Sequence, residues 1–117
     1  MEINETNAIK LWEERFGKNV KFTTDFHGRL IHKDGYGNPS FGKWVDGKYI
    51  RCGWNIHHIL PIAKGGTNEK SNLLFTHITT NELAGDKTTF WIDDSLYQVQ
   101  RIFGTSDHEI VCLTEIA

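Results

Sequence analysis

Apolar residues near the start of the chain recur at helical spacing. Ala8, Ile9, Leu11, Trp12 and Phe16 fall on one side, and Gly17 supplies a stop, so a helix is predicted over residues 5–16. From Val20 the period shortens to β-like runs broken by turn residues: 20–24, a turn at 25–28, then 29–33. Residues 34–40 are a loop by composition. Trp44-Val45 and residues 48–50 flank Asp46-Gly47, the signal for a tight hairpin. Residues 54–60 form a further strand candidate that stops at Pro61.

Beyond Pro61, residues 64–70 read as a loop and 72–75 as a short strand. Thr80 is placed to cap a helix of about two turns that carries Asn81, Glu82, Leu83 and Ala84 and ends at Gly85. Strands are expected again at 88–92, 96–102 and 109–114, with a turn at Asp93-Asp94. Repeats, low-complexity tracts and linkers are absent. The expectation is one α+β domain over residues 1–117: an N-terminal helix, short antiparallel strands and a strand–strand–helix unit over about 53–87.

Composition narrows the class. At 117 residues, 38 % apolar and 24 % charged, the chain has an ordinary globular make-up. No apolar run approaches the roughly 18 residues of a membrane span, and the acidic, polar N-terminus predicts no signal peptide; a cytoplasmic location is expected. Cys52 and Cys112 stand far apart and form no Cys-x-x-Cys pair, which excludes a thiolate zinc knuckle. Trp12, Trp44, Trp54 and Trp91 are expected as core or edge packing. His27 and His32 are expected at the surface or in turns.

A net charge of −2 does not by itself attract a nucleic-acid partner, so its distribution matters. Residues 18–51 carry seven bases against three acids, whereas 88–117 carry one base against five acids. Phosphate responds to the local field rather than the total. Arg29 and Arg51 lie in or at the end of that basic segment, and Lys64 and Lys87 lie further on; these four are the candidate nucleic-acid contacts.

The densest chemistry follows the basic segment. Ile56-His57-His58-Ile59-Leu60-Pro61 leads into Gly65-Gly66, with Asn72 fourteen residues after His58 and Asn81 nine residues after Asn72. One imidazole can ligate a divalent ion while its neighbour stays free as a base. Adjacent side chains on a regular strand point to opposite faces, so a distortion before Pro61 is expected if both are to reach one cleft.

This ordered set resembles the HNH nuclease motif, the ββα-metal finger. Asp25 to Arg29, the Tyr36-Gly37 loop, Gly53-Trp54 and Lys87 resemble the wider context of small bacterial and phage HNH proteins. The resemblance covers residues 25 to about 100. It implies that His58 is the general base acting on water, that His57 and Asn81 hold one divalent ion, and that Asn72 keeps the base-bearing loop in shape through backbone hydrogen bonds. His77 would join the ion if the helix began early enough to set it four residues before Asn81 on one face. Phe75 and Thr80 stand where many members carry zinc-binding cysteines, so the surrounding strands and the N-terminal helix must hold the finger.

Magnesium or manganese is the expected ion, with nickel or zinc as alternatives, since a His ligand tilts affinity away from magnesium. The implied activity is endonucleolytic hydrolysis of double-stranded DNA that leaves a 5′-phosphate and a 3′-hydroxyl. Two other readings stay open: a non-cleaving nucleic-acid or partner-binding protein that retains the scaffold, and an RNA-directed nuclease. With no recognition module visible, a homodimer or a larger complex would be needed for sequence selectivity.

Overall fold

The computed structural model describes residues 1–114; residues 115–117 of the expected domain lie outside the described residues. The architecture is α+β. Helix α1 spans Glu5–Phe16, with the Asn4 side chain accepting from the Asn7 N–H and closing its N-terminus. Nine short strands follow: β1 (Phe22–Thr24), β2 (Leu30–His32), β3 (Gly42–Val45), β4 (Lys48–Arg51), β5 (Trp54–His58), β6 (Leu73–His77), β7 (Thr89–Ile92), β8 (Ser95–Arg101) and β9 (His108–Cys112). Helix α2, Ile78–Ala84, lies between β6 and β7. All strand pairing within the sheets is antiparallel: β1 with β2, β3 with β4, β5 with β6, and β7–β8–β9 in order.

The hairpin β5–β6 sits between two hydrophobic cores. In its register Ile56 faces Phe75 and His58 faces Leu73, while His57 faces Leu74. Alternation therefore sends Trp54, Ile56, Leu73 and Phe75 to one face. There they pack with Ala8, Leu11 and Trp12 of α1 and with Ile31. Phe75 lies among Trp12, Phe16 and Trp54 at ring separations of 5.1–5.7 Å. An aromatic cluster thus occupies that position, at the heart of the first core. The second core joins Ala84 of α2 to Phe90, Ile92 and Tyr97 of the C-terminal sheet. Among the described residues, no helix is long and apolar enough to cross a membrane.

Several expectations are corrected. β5 stops at His58 rather than reaching Leu60: Ile59 N–H still meets Asn72 O in register, but Asn72 N–H turns back to Glu69 O and Leu60 N–H goes to Asn72 Oδ1. Helix α2 starts before Thr80, which lies fully buried inside it. The cap is His77, whose Nδ1 accepts from the Thr79 N–H at 3.0 Å. The tryptophans divide as core and edge: Trp12 and Trp54 are fully buried, whereas Trp44 and Trp91, on the edge strands β3 and β7, are 74 % and 59 % exposed. His32 is buried against Phe22 and Phe41, with Nδ1 accepting from the Asp34 N–H.

His27 also has specific partners: Nε2 donates to Asp93 Oδ2 at 2.8 Å, and Nδ1 then accepts from the Tyr97 hydroxyl at 2.7 Å. That donation, with Arg29 nearby, holds the Asp93 carboxyl below its ordinary range.

Candidate active site

β5, the loop after it, β6 and α2 together present the residues singled out by spacing. His57 is 5 % exposed, on the face of β5 that α2 covers. Its Nδ1 lies 2.6 Å from Asn81 Oδ1. An amide oxygen only accepts, so His57 Nδ1 carries the hydrogen. Asn81 is oriented in turn by Asn55, whose Oδ1 accepts from Asn81 Nδ2 at 2.8 Å and from the Thr76 hydroxyl at 3.4 Å. Sequence reasoning missed Asn55. The available signal was period two, since Asn55 precedes His57 by two positions and shares its strand face.

Burial pushes the His57 imidazole below its ordinary value of 6.5; the Asn81 hydrogen bond works in the opposite direction, and His58 next door adds to the drop. A neutral imidazole is what a metal ion needs. His57 Nδ1 and Asn81 Oδ1 also suit a shared ion by distance. Two donors at right angles on one ion, each at about 2.1 Å, lie ~3 Å apart, a few tenths wider than the hydrogen bond. Binding would move the imidazole proton to Nε2. Among the described residues, no group of three His, Cys, Asp or Glu side chains converges as an alternative metal centre.

His58 turns away from His57. The strand register stays regular through both residues, so the expected distortion is absent and the two imidazoles diverge. Even so, His57, His58 and Asn81 all line one open cleft of about 240 Å³, together with Pro61, Ile62, Ala63, Gly85 and Asp86. His58 Nε2 lies 2.6 Å from Asn68 Oδ1. Nε2 is therefore the donor, and Nδ1 keeps its lone pair. Asn68 belongs to the loop, and no period or motif marked it.

Asn72 organises that loop. Its Oδ1 accepts from the Leu60 N–H at 2.8 Å, and its Nδ2 donates to Leu60 O at 3.0 Å and Thr67 O at 2.9 Å. Gly65 ends a 3-10 turn at φ 96°, a left-handed conformation that suits glycine. Gly66 lies against Leu60 O so closely that a Cβ would sit 1.7 Å from it. The glycine pair and Asn72 thus fold one loop from opposite ends.

The remaining candidates divide. His77 does not join His57 and Asn81. With Nδ1 capping α2, its Nε2 donates to Arg51 O at 2.9 Å, so both ring nitrogens are engaged elsewhere. Arg29 is committed inward, its guanidinium donating to the Thr80 hydroxyl at 3.2 Å and lying 3.5 Å from Asp93 Oδ2. Lys64 and Lys87 are exposed next to the cleft residues Ala63 and Asp86, and Arg51 is exposed at the end of β4. Asp25 has a definite task. Its Oδ1 accepts from the His27 and Arg29 N–H groups, and its Oδ2 accepts from the His77 N–H where β6 meets α2.

No family model matches the chain, and no curated protein or solved structure does either.

Proposed function

We propose that the chain is an HNH-type endonuclease that hydrolyses DNA phosphodiester bonds, with β5, β6 and α2 as its ββα-metal finger and one divalent ion as cofactor. The observation that carries this reading is the 2.6 Å approach of His57 Nδ1 to Asn81 Oδ1 in the cleft that also holds His58. His57 and Asn81 would hold the ion, magnesium or manganese first. Bound there, it supplies positive charge for the phosphate and leaving oxygens as negative charge builds on them.

The chain's own groups do the rest. His58, with Nε2–H anchored on Asn68, presents Nδ1 to a water and takes its proton as that water attacks phosphorus. Asn55 keeps the Asn81 oxygen aimed at His57. Asn72 sets the path of the loop that carries Asn68. Lys64 and Lys87, exposed and next in sequence to the cleft residues Ala63 and Asp86, would attract the phosphate backbone.

The test is nicking of supercoiled plasmid by the purified protein with magnesium, manganese, nickel and zinc in turn, beside His58→Ala. Loss of the base should lower the rate by roughly 10²–10⁴-fold. Undiminished cleavage by His58→Ala would sink the mechanism. Nucleic-acid binding without cleavage under any ion would favour a non-cleaving scaffold, and preferential cleavage of RNA would reassign the substrate.

A further inference from the structure

The hairpin β3–β4 has no role in the chemistry above, yet it carries the most conspicuous surface feature among the described residues. Trp44 and Tyr49 are cross-strand partners, 74 % and 51 % exposed, with ring centroids 5.5 Å apart in an edge-to-face pair. The pair is held in place. Tyr49 lies over Gly42 so tightly that a Cβ there would come within 2.5 Å of the ring, and its hydroxyl donates to Ser40 O at 3.3 Å. Alternation puts Arg51 on the same face as Trp44 and Tyr49, while Lys43 and Lys48 fall on the opposite face of the two strands. Within residues 42–51 these three cations meet only Asp46.

A rigid aromatic face in water with a cation beside it fits a stacked base and its neighbouring phosphate. A base offers its face only where it is not already stacked within a duplex. Resting on the nuclease reading above, we infer that the β3–β4 hairpin docks an unpaired stretch of the nucleic-acid substrate, with one base stacked on Trp44 and a neighbouring phosphate on Arg51. The preferred substrate is then DNA with a single-stranded segment, such as a gap, flap or melted end, rather than an intact duplex.

The hairpin is well placed to deliver such a strand. Arg51 leads through Cys52 and Gly53 directly into β5, and the Arg51 carbonyl is tied by His77 to the start of α2. Six peptide units separate Arg51 from His57, at most about 20 Å of chain.

The test is fluorescence anisotropy with a labelled oligothymidine and with a blunt duplex of equal length. Wild type, Trp44→Ala and Trp91→Ala are compared without added metal. Trp91 is the control, an exposed tryptophan on β7 of the C-terminal sheet. The expected result is that Trp44→Ala weakens oligothymidine binding roughly ten- to a hundredfold, while Trp91→Ala stays within twofold. Arg51→Gln should flatten the salt dependence by about 0.7 in log–log slope. Equal binding by Trp44→Ala and wild type, tighter binding of blunt duplex than of oligothymidine, or no binding of either would overturn the inference. So would a Trp44-dependent dimer in sedimentation with nucleic-acid binding unchanged. Trp44-dependent binding by a protein that cleaves with no ion would support the docking role while removing the catalytic one, so the two readings fail separately.

Discussion

The hairpins β3–β4 and β5–β6 are built alike and sit in opposite surroundings. Each is a short antiparallel pair with a tryptophan, and each follows the basic segment or ends it. In β5–β6 both faces are covered, by α1 on one side and α2 on the other, and Trp54 is fully buried with its Nε1–H donating to Lys33 O. In β3–β4 the tryptophan stands in water beside Tyr49. In the first hairpin, core packing and the candidate chemistry share the same two strands. In the second, the aromatic face is left over after folding and is available for binding. Alternation of apolar and polar residues describes both equally well; the helices packed around β5–β6 make the difference.

Replacing the same residue type in each hairpin is the sharpest way to break this contrast. Trp54→Ala removes a ring at the centre of the first core and should cost about 3–5 kcal/mol. Trp44→Ala loses only an exposed cross-strand contact and should cost less than about 1 kcal/mol. Urea denaturation followed by circular dichroism measures both. Comparable losses would mean that the β3–β4 hairpin is structural, and the contrast would collapse.

A smaller loss is expected within the β5–β6 unit itself, in its loop. Asn72→Ala strips three hydrogen bonds from Leu60 and Thr67 and leaves partly buried backbone groups unpaired, which should cost roughly 2 kcal/mol. The same change should lower plasmid cleavage by more than the fraction unfolded accounts for, because the loop also carries the partner of His58. Cleavage that merely tracks the folded fraction would reduce Asn72 to a stability residue. Gly66→Ala tests the other end of the loop, where the Leu60 carbonyl leaves no room for a Cβ.

How far these hairpins could be read from sequence depends on what determines each feature. The α1 boundaries follow from a strong 3.6-residue period and local caps, so residues 5–16 were legible. The strand order β5, loop, β6 and α2 was legible because Pro61, the glycine pair and the two asparagines punctuate it. The start of α2 was not, since its cap is a histidine that no propensity rule favours, fixed by the distant Arg51 carbonyl. Asn55 and Asn68 were invisible as partners because an orienting hydrogen bond depends on which residue lies opposite in space. For the same reason His27 and Arg29 gave no sign that Asp93, more than sixty residues away, would engage them both. Burial of Trp54 and exposure of Trp44 depend on where α1 docks, which a two-residue period does not encode.

The smallest expected effect is a pH dependence that separates the candidate site from plain burial. Burial holds both the His57 and the His32 imidazoles below their ordinary value of 6.5. As pH falls past that value the unfolded chain takes up protons at these positions while the folded chain still resists. Their contribution to stability is therefore complete above pH 6.5 and is lost as pH falls from there through the lowered folded-state values. His57→Gln and His32→Gln should each make the decline in urea midpoint between pH 7 and pH 5 less steep. Cleavage should separate them. A proton on His57 competes with the ion for its nitrogen, so in wild type and in His32→Gln the metal concentration for half-maximal cleavage should rise over the same pH range. If His32→Gln instead abolished that rise, His57 would be only a buried histidine, and the difference between the two hairpins would be one of burial alone.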